Sequence, residues 1–316
     1  MRDDQKGGKL ISNLEKNAKK YQQIHSMKNI IVMLFLLFNF GILFGQIDTA
    51  IYEVKTDLYK TNTISGLLKT IEWESESMQE MRTISIYEPV GFQKDSTYNV
   101  VVVTDNICEA LANALESKMI NKEIQPLLII GVNNREPQGI DSIFDGKEVD
   151  FRSAEMLGLR FVSSNGIDFN NADVVKLLSN RVPKFHDFIV TEISNYVIDH
   201  YNVTERINWT LGGFSNGGFA VANIGTAFPD SFGYIIAMSP GGGMDGKYAF
   251  DYFKTKSTYF LCAGTEEGGF YKMSLVLANE FQKNGIEYEH KSFKSEHDYN
   301  MWLTYYVECL SRIYKI

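Results

Sequence analysis

The rhythm of hydrophobic and polar positions changes twice along this chain. An apolar run from Ile30 to Phe44 is interrupted only by Asn39 and Gly41. From Leu67 to Trp73 and from Arg82 to Glu88, apolar and polar residues alternate around a polar stretch, Glu74 to Glu80. This pattern predicts an antiparallel hairpin with one exposed face, closed by Pro89-Val90-Gly91. Beyond it the apolar positions gather into short continuous runs: Val100 to Thr104, Leu127 to Val132, Ile207 to Leu211, Tyr234 to Met238 and Thr258 to Ala263. Such runs, separated by helical stretches, are read as parallel strands buried on both faces, and their alternation predicts a doubly wound α/β sheet. Phe185, Phe188, Ile189, Ile193, Tyr196, Val197 and Tyr201 recur at helical spacing and form one apolar stripe. His186 and His200 on that helix read as surface or boundary residues. The segment Asn133 to Pro183 is polar and poorly periodic, and predicts a long insertion that shapes the approach of a substrate.

The first apolar run sets the domain organisation. As a helix, Ile30 to Phe44 spans roughly 22 Å against a hydrocarbon core of about 30 Å. With Met27-Lys28-Asn29 before it and Gly45 after it, the run reads as the core of a signal peptide. The expected divisions are a polar extension over 1–26, upstream of a start at Met27; a signal peptide over 27–45, with a retained signal anchor as its rival; a loosely held lead-in over 46–66; and one large domain over 67–316. Export to the periplasm or the cell exterior follows, and the anchor is the only route to a membrane. A hydrophobic fraction of 44% beside 22% charged residues supplies material for one large core. The net charge of -8, without a basic run in the folded part, argues against nucleic acid as a partner. Three cysteines, Cys108, Cys262 and Cys309, lack C-x-x-C spacing and read as small buried residues, with room for one disulfide. The five histidines are scattered and none forms an H-x-x-x-H pair, so neither metal nor cofactor is expected.

Chemistry concentrates in Ile207-Asn208-Trp209-Thr210-Leu211-Gly212-Gly213-Phe214-Ser215-Asn216-Gly217-Gly218-Phe219-Ala220. An apolar strand enters G-x-S-x-G and a helix rich in small residues leaves it, as a nucleophile elbow requires. Ser215 then sits on a strained turn at a helix N-terminus, where the Asn216 amide can donate to a developing oxyanion. A hydroxyl is a weak nucleophile, so a base and an orienting carboxylate must accompany it. The run ending at Ala263 leads into Gly264-Thr265-Glu266-Glu267, which offers two adjacent carboxylates, and the segment Ile286 to Phe293 leads into Glu296-His297-Asp298. His297 is the candidate base. Glu266 and Glu267 are both candidate acids, since adjacent side chains on an extended segment point apart. Asp298 is the weaker acid candidate.

Residues 67–315 resemble a family of esterases that includes esterase D, enterochelin (siderophore) esterases, feruloyl esterases and mycolyltransferases. The resemblance is carried by Tyr87-Glu88-Pro89, Val101-Val102-Val103-Thr104-Asp105, Gly213-Phe214-Ser215-Asn216-Gly217-Gly218, Gly264-Thr265-Glu266-Glu267 and Glu296-His297-Asp298-Tyr299 with Trp302. It implies an α/β-hydrolase fold, with a mostly parallel central sheet, helices on both faces and an N-terminal antiparallel hairpin. It also implies an acyl-enzyme mechanism with Ser215, His297 and Glu267 as a triad, with Glu267 as the acid. The second oxyanion donor falls at the amide of Ile107. There Asp105-Asn106 replaces the usual Asp-Gly, and Asn enters the left-handed conformation less easily than Gly. The expected substrate is a small-molecule, glycan or siderophore ester, with an acyltransferase of the same fold or a noncatalytic binding protein as rivals. Export disfavours the cytosolic S-formylglutathione role of some relatives. Arg135, in the insertion, is a candidate for meeting an anionic substrate group.

Overall fold

The computed structural model describes residues 46–55, 64–133, 143–144, 147–148, 151–158, 172–241 and 255–316. The extension over 1–26, the signal run over 27–45, Arg135 and much of the Asn133–Pro183 insertion lie outside the described residues.

The continuous apolar runs become the interior strands of one sheet. Named in chain order, the strands are β1 (Gln46–Tyr52), β2 (Leu67–Ser75), β3 (Glu80–Glu88), β4 (Asn99–Thr104) and β5 (Leu127–Val132), then a short pair β6 (Ile143–Phe144) and β7 (Lys147–Glu148), and finally β8 (Thr210–Phe214), β9 (Tyr234–Met238), β10 (Thr258–Gly264) and β11 (Tyr288–Phe293). Among the described residues nine strands form a single sheet in the order β1-β11-β10-β9-β8-β4-β5-β3-β2, and β6 pairs only with β7. The hairpin β2–β3 is antiparallel and joins β5 antiparallel, while every other pairing in the sheet is parallel.

The period of two along a strand builds two cores. Val100 and Val102 of β4 pack into one hydrophobic cluster and Val101 and Val103 into the other. On the second side lie α1 (Cys108–Ile120), through Leu111 and Leu115, and the C-terminal helix Tyr299–Ile313, through Tyr305 and Leu310. On the first side the expected apolar stripe is continuous. The insertion contributes α2 (Phe151–Met156) and α3 (Ala172–Leu178), after which α4 (Arg181–Asp187) runs through a π-helical turn (Phe188–Ile193) into α5 (Ser194–His200). Phe185, Phe188, Ile189, Ile193 and Val197 are all fully buried there, beside α6 (Asn216–Ala227) and α7 (Gly269–Lys283). The C-terminal helix is α8.

Three expectations need correction, and the reading of the cysteines as buried holds. The strand placed at Ile207 to Leu211 starts later: Arg206–Asn208 is a 3-10 turn, Ile207 is exposed, and pairing begins at Thr210 and runs through Gly212 and Gly213. Packing decides this, because a Cβ at Gly212 would stand 2.5 Å from the buried Tyr306 ring, so only glycine lets α8 lie this close. The lead-in is partly structural: Gln46–Tyr52 is the edge strand β1, paired parallel with β11. A register shift between Ile47 and Ile51 breaks its alternation, which hides the strand from a period-two reading. His186 is buried against the Phe228 ring rather than at the surface, whereas His200 is exposed. The three cysteines are buried and free of one another; burial pushes the Cys108 thiol up to about 12, and its Sγ–H donates to the Ile129 carbonyl at 3.2 Å.

Two buried histidines give the fold an acid limit. Burial lowers His186 to about 4, and burial likewise lowers His290, which is hydrogen-bonded through Nε2 to Ser274 Oγ at 2.9 Å, to about 4. Both lie below the ordinary histidine value of about 6.5, so the unfolded chain takes up these protons first. Their stabilisation is complete above pH 6.5 and is lost as the pH falls toward 4, on the order of 3 kcal/mol for each. Urea midpoints are expected to fall steeply between pH 6.5 and 4. His186→Leu is expected to flatten that slope, and an unchanged slope would show that His186 does not contribute to it.

Candidate active site

The sheet brings five loops to the C-terminal ends of neighbouring strands β4, β8, β9, β10 and β11, and the polar residues picked out from the sequence lie on them. Ser215 follows β8 as the residue before α6, with φ 55° and ψ -123°. A non-glycine residue in this region is strained by about 1–3 kcal/mol and persists only where its surroundings fix it. Here they do. Ser215 N–H donates to the Met238 carbonyl at 2.9 Å, and the Ser215 carbonyl accepts from Gly241 N–H at 2.8 Å. The turn closes only because Gly213 and Gly217 lack side chains. A Cβ on Gly213 would lie 2.6 Å from the Gly217 backbone, and one on Gly217 would lie 2.5 Å from Asp105 Oδ2 and against Thr104 Oγ1 as well.

His297, between β11 and α8, places Nε2 3.0 Å from Ser215 Oγ. Its Nδ1 lies 3.5 Å from Glu267 Oε1, and the Glu267 side chain is fully buried while the imidazole remains one-third exposed. Glu266 is exposed, so of the two adjacent carboxylates the fold delivers Glu267 to the imidazole. Asp298 instead caps α8, accepting from the Asn300 N–H at 3.1 Å. The imidazole is held by rings on two sides: Phe270 stacks on it at 4.2 Å and Trp302 meets it edge-on at 4.6 Å.

Behind Glu267 lies a relay that the sequence reading missed. Ser239, at positive φ just after β9, donates its hydroxyl to Glu267 Oε1 at 2.6 Å and accepts from Trp302 Nε1 at 2.8 Å. The signal was present as a polar residue at the C-terminal end of a buried strand, the same location that yields the other site residues. Trp302 is further fixed by stacking on Phe214 at 4.2 Å.

The two candidate oxyanion donors stand at helix N-termini after adjacent strands. Asn216 opens α6, where a first-turn N–H has no partner within the helix. Ile107 precedes α1 at the end of β4, which pairs with β8. The Asp105-Asn106 departure is accommodated: both residues are left-handed, at φ 63° and 53°. Asn106 Oδ1 accepts from Ser85 Oγ at 3.1 Å. Asp105 Oδ1 accepts from Arg152 Nε at 2.6 Å, and Oδ2 from Thr104 Oγ1 at 3.2 Å. Among the described residues no group of His, Cys, Asp and Glu side chains is arranged to hold a metal ion.

This architecture is that of the α/β-hydrolases. Residues 171–308, which contain Ser215, Glu267 and His297, match the family model described as "Putative esterase". Solved structures share the fold at low identity. A ferulic acid esterase from the anaerobic fungus Anaeromyces mucronatus superposes with TM-score 0.61 at 17% identity, covering 84% of this chain and 97% of its own. A feruloyl esterase module from Clostridium thermocellum, solved with sinapinate, gives 0.57 at 14%, covering 84% and 94%. The enterobactin esterase of Shigella flexneri gives 0.58 at 15%, covering 79% of this chain and 59% of its own. No curated protein matches the sequence.

The elbow yields a test in which two effects oppose. Alanine is the better helix former by about 1 kcal/mol, but at Gly217 its methyl would strike the Thr104 and Asp105 side chains. Overpacking of this kind costs about 1–3 kcal/mol, so Gly217→Ala is expected to lower the urea midpoint. A variant as stable as wild type would show that the turn yields.

Proposed function

We propose that the protein is an exported serine carboxylic-ester hydrolase working through a Ser215–His297–Glu267 triad. The observation that carries this reading is the Ser215 Oγ to His297 Nε2 separation of 3.0 Å, with Glu267 on the far side of the same imidazole. Ser215 Oγ attacks the ester carbonyl carbon as His297 Nε2 takes its proton. The carbonyl oxygen becomes an oxyanion held by the Asn216 and Ile107 amides. Collapse expels the alcohol, protonated from His297, and leaves an acyl-Ser215 ester. Water then attacks that ester with His297 again as base, releasing the acid and restoring the serine. Glu267 orients the imidazole and balances its transient positive charge, while Ser239 holds the carboxylate.

For the substrate we favour an aryl-acid ester of the feruloyl type. Aromatic rings crowd the dyad, with Phe270 and Trp302 both against the imidazole, and similarly folded enzymes are described with ferulic acid and sinapinate. A siderophore ester is the second class to test. Export rests on the signal pattern over 27–45.

A fluorophosphonate probe is expected to label wild type at Ser215 and to spare Ser215→Ala; equal labelling of both would sink the reading. On a p-nitrophenyl ester, Glu267→Gln is expected to lower kcat by roughly 10²- to 10⁴-fold, while Glu266→Gln stays within about threefold of wild type, as for a surface substitution. The reverse order would transfer the role to Glu266. Product analysis on feruloyl-sugar, acetyl-sugar and siderophore esters separates the substrate classes.

A further inference from the structure

From the ion pair at the end of β4 we infer that Arg152 is a positioning residue for the oxyanion site, holding and neutralising the Asp105 carboxylate. The role presupposes the acyl-transfer chemistry proposed above.

The Asp105 carboxylate sits in an awkward place for a charge. Asp105 has a side chain only 8% exposed, in the turn that ends at Ile107. Its Oδ2 borders the position a Gly217 side chain would occupy, against the first turn of α6. Left alone, a carboxylate here would oppose the negative charge that develops on the substrate oxygen, because like charges in a partly buried site are poorly screened. Its field extends into the interior, where it adds to the effect of burial in keeping the Tyr306 hydroxyl protonated. Thr104 Oγ1 supplies one neutral hydrogen bond. The positive charge beside the carboxylate comes from Arg152, at 2.6 Å.

Arg152 is delivered by α2, a short helix anchored independently of the pair. Three residues on, Glu155 is fully buried and receives Arg82 through two bonds of 2.9 Å and Arg181 Nη2 at 2.5 Å. Burial works against the Glu155 charge, but the Arg82 guanidinium, followed by that of Arg181, holds its carboxyl below the usual range. Arg82 also donates to the Asn133 carbonyl, just past β5, at 3.0 Å. Ser153, between Arg152 and Glu155, accepts from the Asn216 side-chain amide at 3.1 Å. A single turn of helix thus touches both proposed oxyanion residues' surroundings, Asn216 directly and Ile107 through Asp105. The insertion expected to shape the substrate site also completes the catalytic one.

The test is a double-mutant cycle on the full chain, read by p-nitrophenyl ester kinetics and by the rate of fluorophosphonate labelling. Arg152→Met keeps an unbranched stem reaching as far as the Nε position and removes the guanidinium charge. It is expected to lower kcat and the labelling rate roughly 30-fold, with KM within about twofold, as for loss of a transition-state interaction. Arg152→Lys is expected to recover most of the loss. Asp105→Asn removes the offending charge while keeping a residue that tolerates positive φ. In the Arg152→Met background it is expected to restore about tenfold. A purely structural Arg152 would give no such rescue. The inference is overturned if Arg152→Met labels and turns over like wild type, or if the double variant is no faster than Arg152→Met. Failure of the wild type to label overturns the hydrolase reading itself and the inference with it. Matching urea midpoints for the single and double variants assign the rescue to electrostatics, and a midpoint restored in step with activity assigns it to refolding and overturns the inference.

Discussion

The backbone of Ser215 is the constraint on which the rest of this site depends. At φ 55° it occupies a conformation that its side chain disfavours, and the cost is offset by hydrogen bonds to Met238 and Gly241 on the next strand and loop. Those bonds require β8 and β9 to pair in register, which they do from Thr210 and Tyr234 to Phe214 and Met238. They also require α6 to approach β4 and β9 without Cβ atoms in the way, hence the glycines at 213, 217 and 218. The sheet order and helix packing are therefore conditions for one dihedral angle. A strained residue of this kind presents its hydroxyl without needing to move.

Around that fixed point one rule places the polar groups nearest the serine. A parallel strand buried on both faces has no polar side chains to spare within its length, so polar chemistry collects where the strand ends. Asp105, Ser239, Glu267 and His297 each stand just past the end of a strand. Aromatic rings then set what the polar atoms can reach: Phe270 and Trp302 hold the imidazole, and Trp302 ties it to Ser239. One oxygen of Glu267, Oε2, is buried without a hydrogen-bond partner among the described residues, so the carboxylate's interactions run through Oε1 toward Ser239 and His297.

What the sequence made legible follows from which interactions are local. Interior strands show as apolar runs because both faces are buried, and the elbow shows because its glycines are steric requirements of a single turn. The adjacent Glu266 and Glu267 could not be separated by spacing, since the twist of the segment after β10 decides which of them turns inward. Ser239 and Arg152 gave no motif because each acts on a residue far away in the chain. His186 was misplaced because a polar residue on an apolar helix reads as exposed, and here the Phe228 ring covers it. β1 escaped notice because an irregular register interrupts the alternation on which such a reading relies.

That first strand has a bearing on the handling of the protein. Residues 46–52 lie along β11 as the last member of the sheet, with the Tyr52 carbonyl receiving the Lys294 N–H at 2.9 Å and Ile47 opposite His290. A chain begun at Leu67, where the alternating pattern starts, would strip β11 of this cover and leave a row of unpaired amides and carbonyls beside the histidine loop. Open edges of that sort recruit other chains. The folding unit therefore includes Gln46–Tyr52, and self-association is the price of cutting that strand away.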